Sequence, residues 1–233
     1  MRVGCGLVLF THIFNNGHGP GTLAERRAHM VEEQLRSRGI RDPRVLTAMG
    51  KVPREAFICS EDFRDAYGDH PLPIGAGQTV SQPYIVAAMV EALELRPTDR
   101  VLEVGTGTGY EAAILAELAA EVWTIERHGD LASKAREILA RLGYTNVSVA
   151  HGDGSLGLPG HAPFDKILVA AAAPRIPESL IAQLMDGGRL VVPVGTRTEQ
   201  QVHIARKEGK EVVVSTHDLC RFVPLVGAEG WGS

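Results

Sequence analysis

Beyond residue 98 the chain alternates between two hydrophobic patterns. Short apolar runs, bounded by glycine or charged residues, read as buried strands at 101–104, 122–125, 147–149, 167–170 and 190–194. Between them lie stretches with apolar residues every three or four positions, at 111–118, 131–142 and 178–185, which predict amphipathic helices. Gly143 supplies a stop for the second of these. Strands alternating with helices predict an α/β fold with a doubly wound, mostly parallel sheet. The tail then changes period. Segments 201–206 and 212–216, joined through Glu208-Gly-Lys210, predict an antiparallel hairpin, and 221–225 is expected to extend its edge.

Before residue 98 the pattern is helical and rich in loops. Thr22 is placed to cap a helix with Ala24, Ala28, Val31 and Leu35 on its apolar face, and Gly39 ends it. Asp42-Pro43 pairs a cap with an N1 proline and opens a second helix. Residues 67–82, dense in Gly and Pro, predict a loop. A third helix follows, with Ile85, Val86, Met89, Val90 and Leu93 on one side. The expected organisation is one domain over 23–233, with a helical region at 23–97 and a sheet region at 98–233. Residues 1–22 read as an extension or as an upstream start: Arg2 precedes an apolar run over 3–10 that is too short to span a bilayer.

Composition narrows the class. The 233 residues are 44% hydrophobic and 22% charged, ordinary for a globular domain. A net charge of −4 offers none of the basic excess expected of a nucleic-acid binder. Cys5, Cys59 and Cys220 lie far apart, without CxxC or zinc spacing, and read as reduced thiols. The expectation is a cytoplasmic monomer with no metal and no membrane or nucleic-acid partner.

The chemistry-bearing feature is Arg100-Val-Leu-Glu-Val-Gly-Thr-Gly-Thr-Gly-Tyr110, a glycine loop between a predicted strand and a helix. Glycines there allow a sharp turn and close approach to a ligand at the carboxyl edge of the sheet. A dinucleotide fingerprint needs GxGxxG; the spacing here is GxGxG, with Glu103 inside the preceding strand. That spacing resembles the first motif of Rossmann-like methyltransferases and implies S-adenosylmethionine as cofactor. Cofactor contacts are expected from Glu103, Gly105, Thr106, Gly107 and Gly109. Glu126 and Arg127 follow the second strand, where an acid can accept from ribose hydroxyls. Asp153 and Gly154 follow the third, where an adenine would lie.

Further stretches carry a more specific resemblance. Ala66-Tyr-Gly-Asp-His-Pro-Leu-Pro-Ile-Gly75, Gly77-Gln-Thr-Val-Ser-Gln-Pro-Tyr84, Ala162-Pro-Phe-Asp165, Ala171-Ala-Ala-Pro174, Gly187-Gly-Arg-Leu-Val-Val-Pro-Val-Gly195 and Arg221-Phe-Val-Pro-Leu225 resemble the protein-L-isoaspartate O-methyltransferase family in order over roughly residues 23–230. The resemblance implies methyl transfer to the α-carboxyl of L-isoaspartyl, and D-aspartyl, residues in damaged proteins, with repair through a succinimide. It departs at Ala170, where the family often has Thr, and at Thr108, where Ser is common. It implies that Ser81, with Thr79 and Gln78 beside it, holds the acceptor carboxylate, whereas in isolation Ser81 reads as a helix N-cap. Arg221, Val223 and Pro224 are expected either to contact an extended peptide or merely to close the sheet. Two other functions stay open on these residues: a carboxyl methyltransferase for another acceptor, and a module that binds damaged peptides without turnover.

Overall fold

The computed structural model describes residues 21–58 and 63–232. Thr22 caps α1 (Leu23–His29) in a reciprocal box with Glu25, an arrangement worth about 1 kcal/mol. The helix widens into a π turn over Met30–Leu35 and ends at Gly39, whose φ of 106° suits glycine. Its buried face is Met30, Val31 and Leu35; the expected Ala24 and Ala28 are exposed. The buried face is rotated: half-buried Leu23 packs against the core, one position before the expected Ala24. Asp42 caps α2 (Pro43–Lys51) with Pro43 at the first position.

Residues 67–82 are not the plain loop that their composition predicts. They contain an antiparallel hairpin of β1 (Leu72–Gly75) and β2 (Gln78–Val80). Ala76, between two glycines, adopts a left-handed φ of 51° at its tip. With only three or four residues per strand, alternation is too short to register as a period. The hairpin leads into α3 (Pro83–Ala92), which buries Val86, Met89 and Val90, has buried Leu93 at its C-cap and leaves Ile85 half-buried.

The sheet region follows its predicted order: β3 (Arg100–Val104), α4 (Tyr110–Ala116), β4 (Glu121–Glu126), α5 (Gly129–Arg141), β5 (Val147–His151), β6 (Phe164–Val169), α6 (Glu178–Gln183), β7 (Leu184–Gly195), β8 (Gln200–Glu208) and β9 (Glu211–Cys220). The strands lie in the order β5-β4-β3-β6-β7-β8-β9. Those from β5 to β7 are parallel, and β8 and β9 add antiparallel at one side. Alternation along each strand divides the core. Val101, Leu168 and Val191 face the layer holding α1–α4, while Leu102, Ile167, Val169 and Leu190 face α6 and the tail.

Two boundaries differ from expectation. The third predicted helix of the sheet region stops at Gln183, because residues from Leu184 already pair with β6. Segment 221–225 does not extend the β9 edge. It crosses the strand ends instead, where Ala172 donates to the Val223 carbonyl and Leu225 donates to Ala172, both at 2.8 Å. Pro224, lacking an N–H, sits between these two bonds. None of the described helices is long and apolar enough to cross a membrane.

Candidate active site

Chain order runs outward from β3 through β4 to β5, then returns to place β6 on the other side of β3. Such a reversal leaves a crevice at the carboxyl ends of the strands, and the glycine loop opens into it. Gly105 and Gly107 line a cleft together with Ile74, Gln78, Thr79, Glu126, Arg127, Gly154, Ala170 and residues 223–226. Gly107 has φ 54°, and a Cβ there would approach Ile74 Cδ1 to 3.2 Å, so the hairpin sits directly over the loop. Gly154 is equally confined, since its Cβ would meet Val104 at 2.5 Å. Gly109, at φ 90°, caps α4 behind the cleft and does not line it.

Glu126 is the electrostatic centre of the cleft. Its oxygens accept from the N–H groups of Gly107 and His128, each at 2.9 Å, which ties the end of β4 to the loop. A carboxylate has further lone pairs, so a ribose hydroxyl still finds an acceptor. The loop backbone, the confined glycines and this buried acid fit the cofactor that the spacing implies.

Besides Gly109, three more expected cofactor residues lie elsewhere. Glu103 is fully buried under α4, because strand alternation turns it away from the cleft edge; Thr124 donates its hydroxyl to it. Thr106 points the same way, 2.6 Å from the Thr124 hydroxyl. Burial, and then the charge of neighbouring Glu111, push the Glu103 carboxyl well above the usual carboxylate range. Asp153 turns its carboxylate to the C-terminal tail, accepting from the Ala228 N–H at 2.8 Å and from the Ser155 N–H and hydroxyl. Burial opposes ionisation of Asp153, but these donors outweigh it and lower its pKa.

An open groove adjoins the cleft, lined by Ser81, Gln82, Tyr84, Ile85, Arg197, Asp218 and residues 219–224 among others. Thr79, Ala170, Val223 and Pro224 line both compartments and form their common wall. All of Gln78, Thr79, Ser81, Arg221, Val223 and Pro224 are therefore brought to the site. Gln82, not Ser81, is the N-cap of α3, and it makes no side-chain capping bond. Crossing of the strand ends by 221–225, unforeseen in the sequence, is what delivers Val223 and Pro224.

Groove residues that sequence reasoning missed form a linked rim. Arg38 pairs with Asp69 at 2.8 Å and lies 3.8 Å over the Tyr84 ring, and Tyr84 donates to Asp218 at 3.2 Å. Arg38 and Asp218 carry no motif, so only the tertiary fold assembles them. Cys220 lines the groove too; burial, then Asp218, raise its thiol to about 11, which leaves it unreactive at neutral pH. Cys5 and Cys59 lie outside the described residues.

Comparison with known proteins agrees with this geometry. Residues 25–230 match the model of the family described as Protein-L-isoaspartate(D-aspartate) O-methyltransferase. A protein-L-isoaspartate O-methyltransferase of Koribacter versatilis is 58% identical over 205 residues, covering 88% of this chain and 92% of that protein. One from Methanoculleus marisnigri is 56% identical, with coverage of 88% and 93%. Among solved structures, a protein-L-isoaspartate O-methyltransferase superposes with a TM-score of 0.80 at 29% identity, covering 88% of this chain and 67% of that one. A Plasmodium falciparum protein described as a putative member, in complex with S-adenosyl-L-homocysteine, gives 0.75 at 26% identity, with coverage of 86% and 98%. The chain belongs to the protein-L-isoaspartate(D-aspartate) O-methyltransferase family.

Proposed function

We propose that this protein methylates the α-carboxyl group of L-isoaspartyl residues, and of D-aspartyl residues, in damaged proteins. The observation that carries this reading is the common wall of Thr79, Ala170, Val223 and Pro224 between the glycine-loop cleft and the open groove. A donor in the cleft and an extended peptide in the groove meet there.

Bound in the cleft, S-adenosylmethionine supplies an activated sulfonium methyl. Gly105, Gly107, Glu126, Arg127 and Gly154 form the walls that hold it. The acceptor carboxylate is already ionised at neutral pH, so no strong general base is required and the protein's work is alignment and exclusion of water. Ser81 donates its hydroxyl to one carboxylate oxygen and thereby aims the other at the cleft. Thr79 and Gln78 shape the passage between compartments. Val223 and Pro224 support the peptide from the far side, with Arg221 at the groove entrance. The enzyme acts as a monomer, which sedimentation of the full chain tests, and works in the cytoplasm.

The deciding experiment is methyl transfer to a peptide pair differing only in an isoaspartyl or normal aspartyl linkage, using the wild-type protein and Ser81→Ala. Wild type should methylate only the isoaspartyl peptide. Ser81→Ala should lose about 10–100-fold in kcat, the worth of a hydrogen bond to a charged group, while the cofactor Kd stays within about twofold. Equal methylation of both peptides would overturn the substrate reading. Full turnover in Ser81→Ala would overturn the role of that residue.

A further inference from the structure

One buried group has no place in the mechanism above. Arg54, in a short 3-10 turn after α2, is 0% exposed and is the largest fully buried side chain of the described residues. Its Nε donates to the Ala66 carbonyl at 2.8 Å and its Nη2 to the Ser81 carbonyl at 2.7 Å. The guanidinium carbon lies 4.8 Å above the ring of Tyr110, the first residue of α4 after Gly109. Its Nη1 is buried with no hydrogen-bond partner among the described residues. No described carboxylate pairs with it.

A buried ion without counter-charge is expensive, and a guanidinium does not escape by losing its proton. Its field acts on the groups packed around it. Two features say where. The Ser81 carbonyl is drawn toward Arg54, so in that trans peptide the N–H of Gln82 points to the opposite side. Ser81 and Gln82 both line the acceptor groove, and α3 begins there without a side-chain cap. The positive end of α3 and the cation behind the Ser81 peptide therefore act in the same direction. The same guanidinium rests on Tyr110, so one side chain links the acceptor segment to the residue that follows the glycine loop.

We infer that Arg54 is the positioning residue for the acceptor carboxylate: it sets the Ser81–Gln82 peptide against the cofactor loop and provides, from beneath, a positive charge that no described carboxylate balances and that the incoming carboxylate meets. This rests on the carboxyl-methylation reading of the groove. It differs from a purely structural clamp in one measurable way. A clamp serves charged and neutral ligands alike, whereas a buried charge favours the carboxylate over its uncharged isostere.

The test uses the full chain and two competitive peptide inhibitors, an isoaspartyl peptide and the same peptide with that α-carboxylate replaced by a carboxamide. In Arg54→Gln the preference for carboxylate over carboxamide should fall about tenfold or more, and Arg54→Lys should restore part of it, with cofactor affinity within about twofold of wild type in both. A second arm needs no variant. Charge held away from solvent is poorly screened, so the wild-type preference should change less than about twofold between roughly 0.05 and 0.5 M salt. Folded variants with an unchanged preference, or a wild-type preference that collapses with salt, would overturn the inference. In the latter case the exposed arginines of the groove supply the field. If wild type fails to methylate the isoaspartyl peptide at all, the reading of the groove fails instead, and the two failures are told apart.

Discussion

Glu111 shows how a single residue sets a property of the whole chain. It occupies the first turn of α4 and is buried next to Glu103, with one carboxyl oxygen lacking any partner among the described residues. Burial raises its pKa from 4.5 to about 8. The folded state thus keeps a proton that the unfolded chain releases. Stability from this group is fully present below about pH 4.5 and is lost progressively up to about pH 8, at no more than about 1.4 kcal/mol per pH unit. Glu111→Gln removes the titration. It should match wild type near pH 4.5 and become progressively more stable than it as pH rises to 8, by urea unfolding. Parallel curves across that range would show that the carboxyl ionises freely. The sequence offered Glu111 only as a helix residue; its burial and its neighbour on β3 come from packing.

At the scale of elements, the tail after β9 acts as a strap across the cleft. Residues 223–226 form part of the cleft wall, and the turn beyond them is fastened on several sides. Asp153 accepts from the Ala228 N–H, the Ser155 hydroxyl accepts from the Glu229 N–H at 3.0 Å, and Glu229 accepts from the Ser179 N–H and hydroxyl. Trp231 donates its indole N–H to the Ala172 carbonyl at 3.0 Å. Asp153→Ala removes the central acceptor, at a local cost of about 1–3 kcal/mol. Amide exchange over residues 226–232 should quicken in the cofactor-free protein, and cofactor Kd should rise about tenfold as the wall loosens. An adenine-binding Asp153 would instead raise Kd with unchanged exchange. Residue spacing placed Asp153 correctly at the end of β5. It does not specify the direction of the side chain, because that depends on a tail some 75 residues later in sequence.

Across the whole molecule, the sheet has two unlike margins. At one of them β9 pairs only with β8, among the described strands, and its Val212, Val213 and Val214 are 38%, 51% and 45% exposed. An apolar edge of this kind is a template for strand addition between copies during heating or refolding. Val213 stands opposite Arg206, so Val213→Glu both charges the edge and creates a favourable cross-strand pair. Light scattering during a thermal ramp should show a later onset of aggregation for Val213→Glu, with methyl transfer within about twofold of wild type. Aggregation as early as in the parent would locate the sticky surface elsewhere.

The alternation of strands and helices after residue 98, the glycine spacing and the acid at the end of β4 were legible in the sequence alone. They are local: a period of two or 3.6 residues, a left-handed turn and a strand terminus each express themselves within a few positions. Their order along the chain was enough to place a ligand crevice at the carboxyl edge. Features set by distant residues could not be read this way. These include the burial of Glu103 and Glu111, the turn of Asp153 toward the tail, the return of 221–225 over the strand ends, and the placement of Arg54 beneath Ser81. Each depends on a hydrogen bond or a packing contact between segments from different parts of the sequence. Burial and charge compensation are properties of the assembled interior, and no local pattern encodes them.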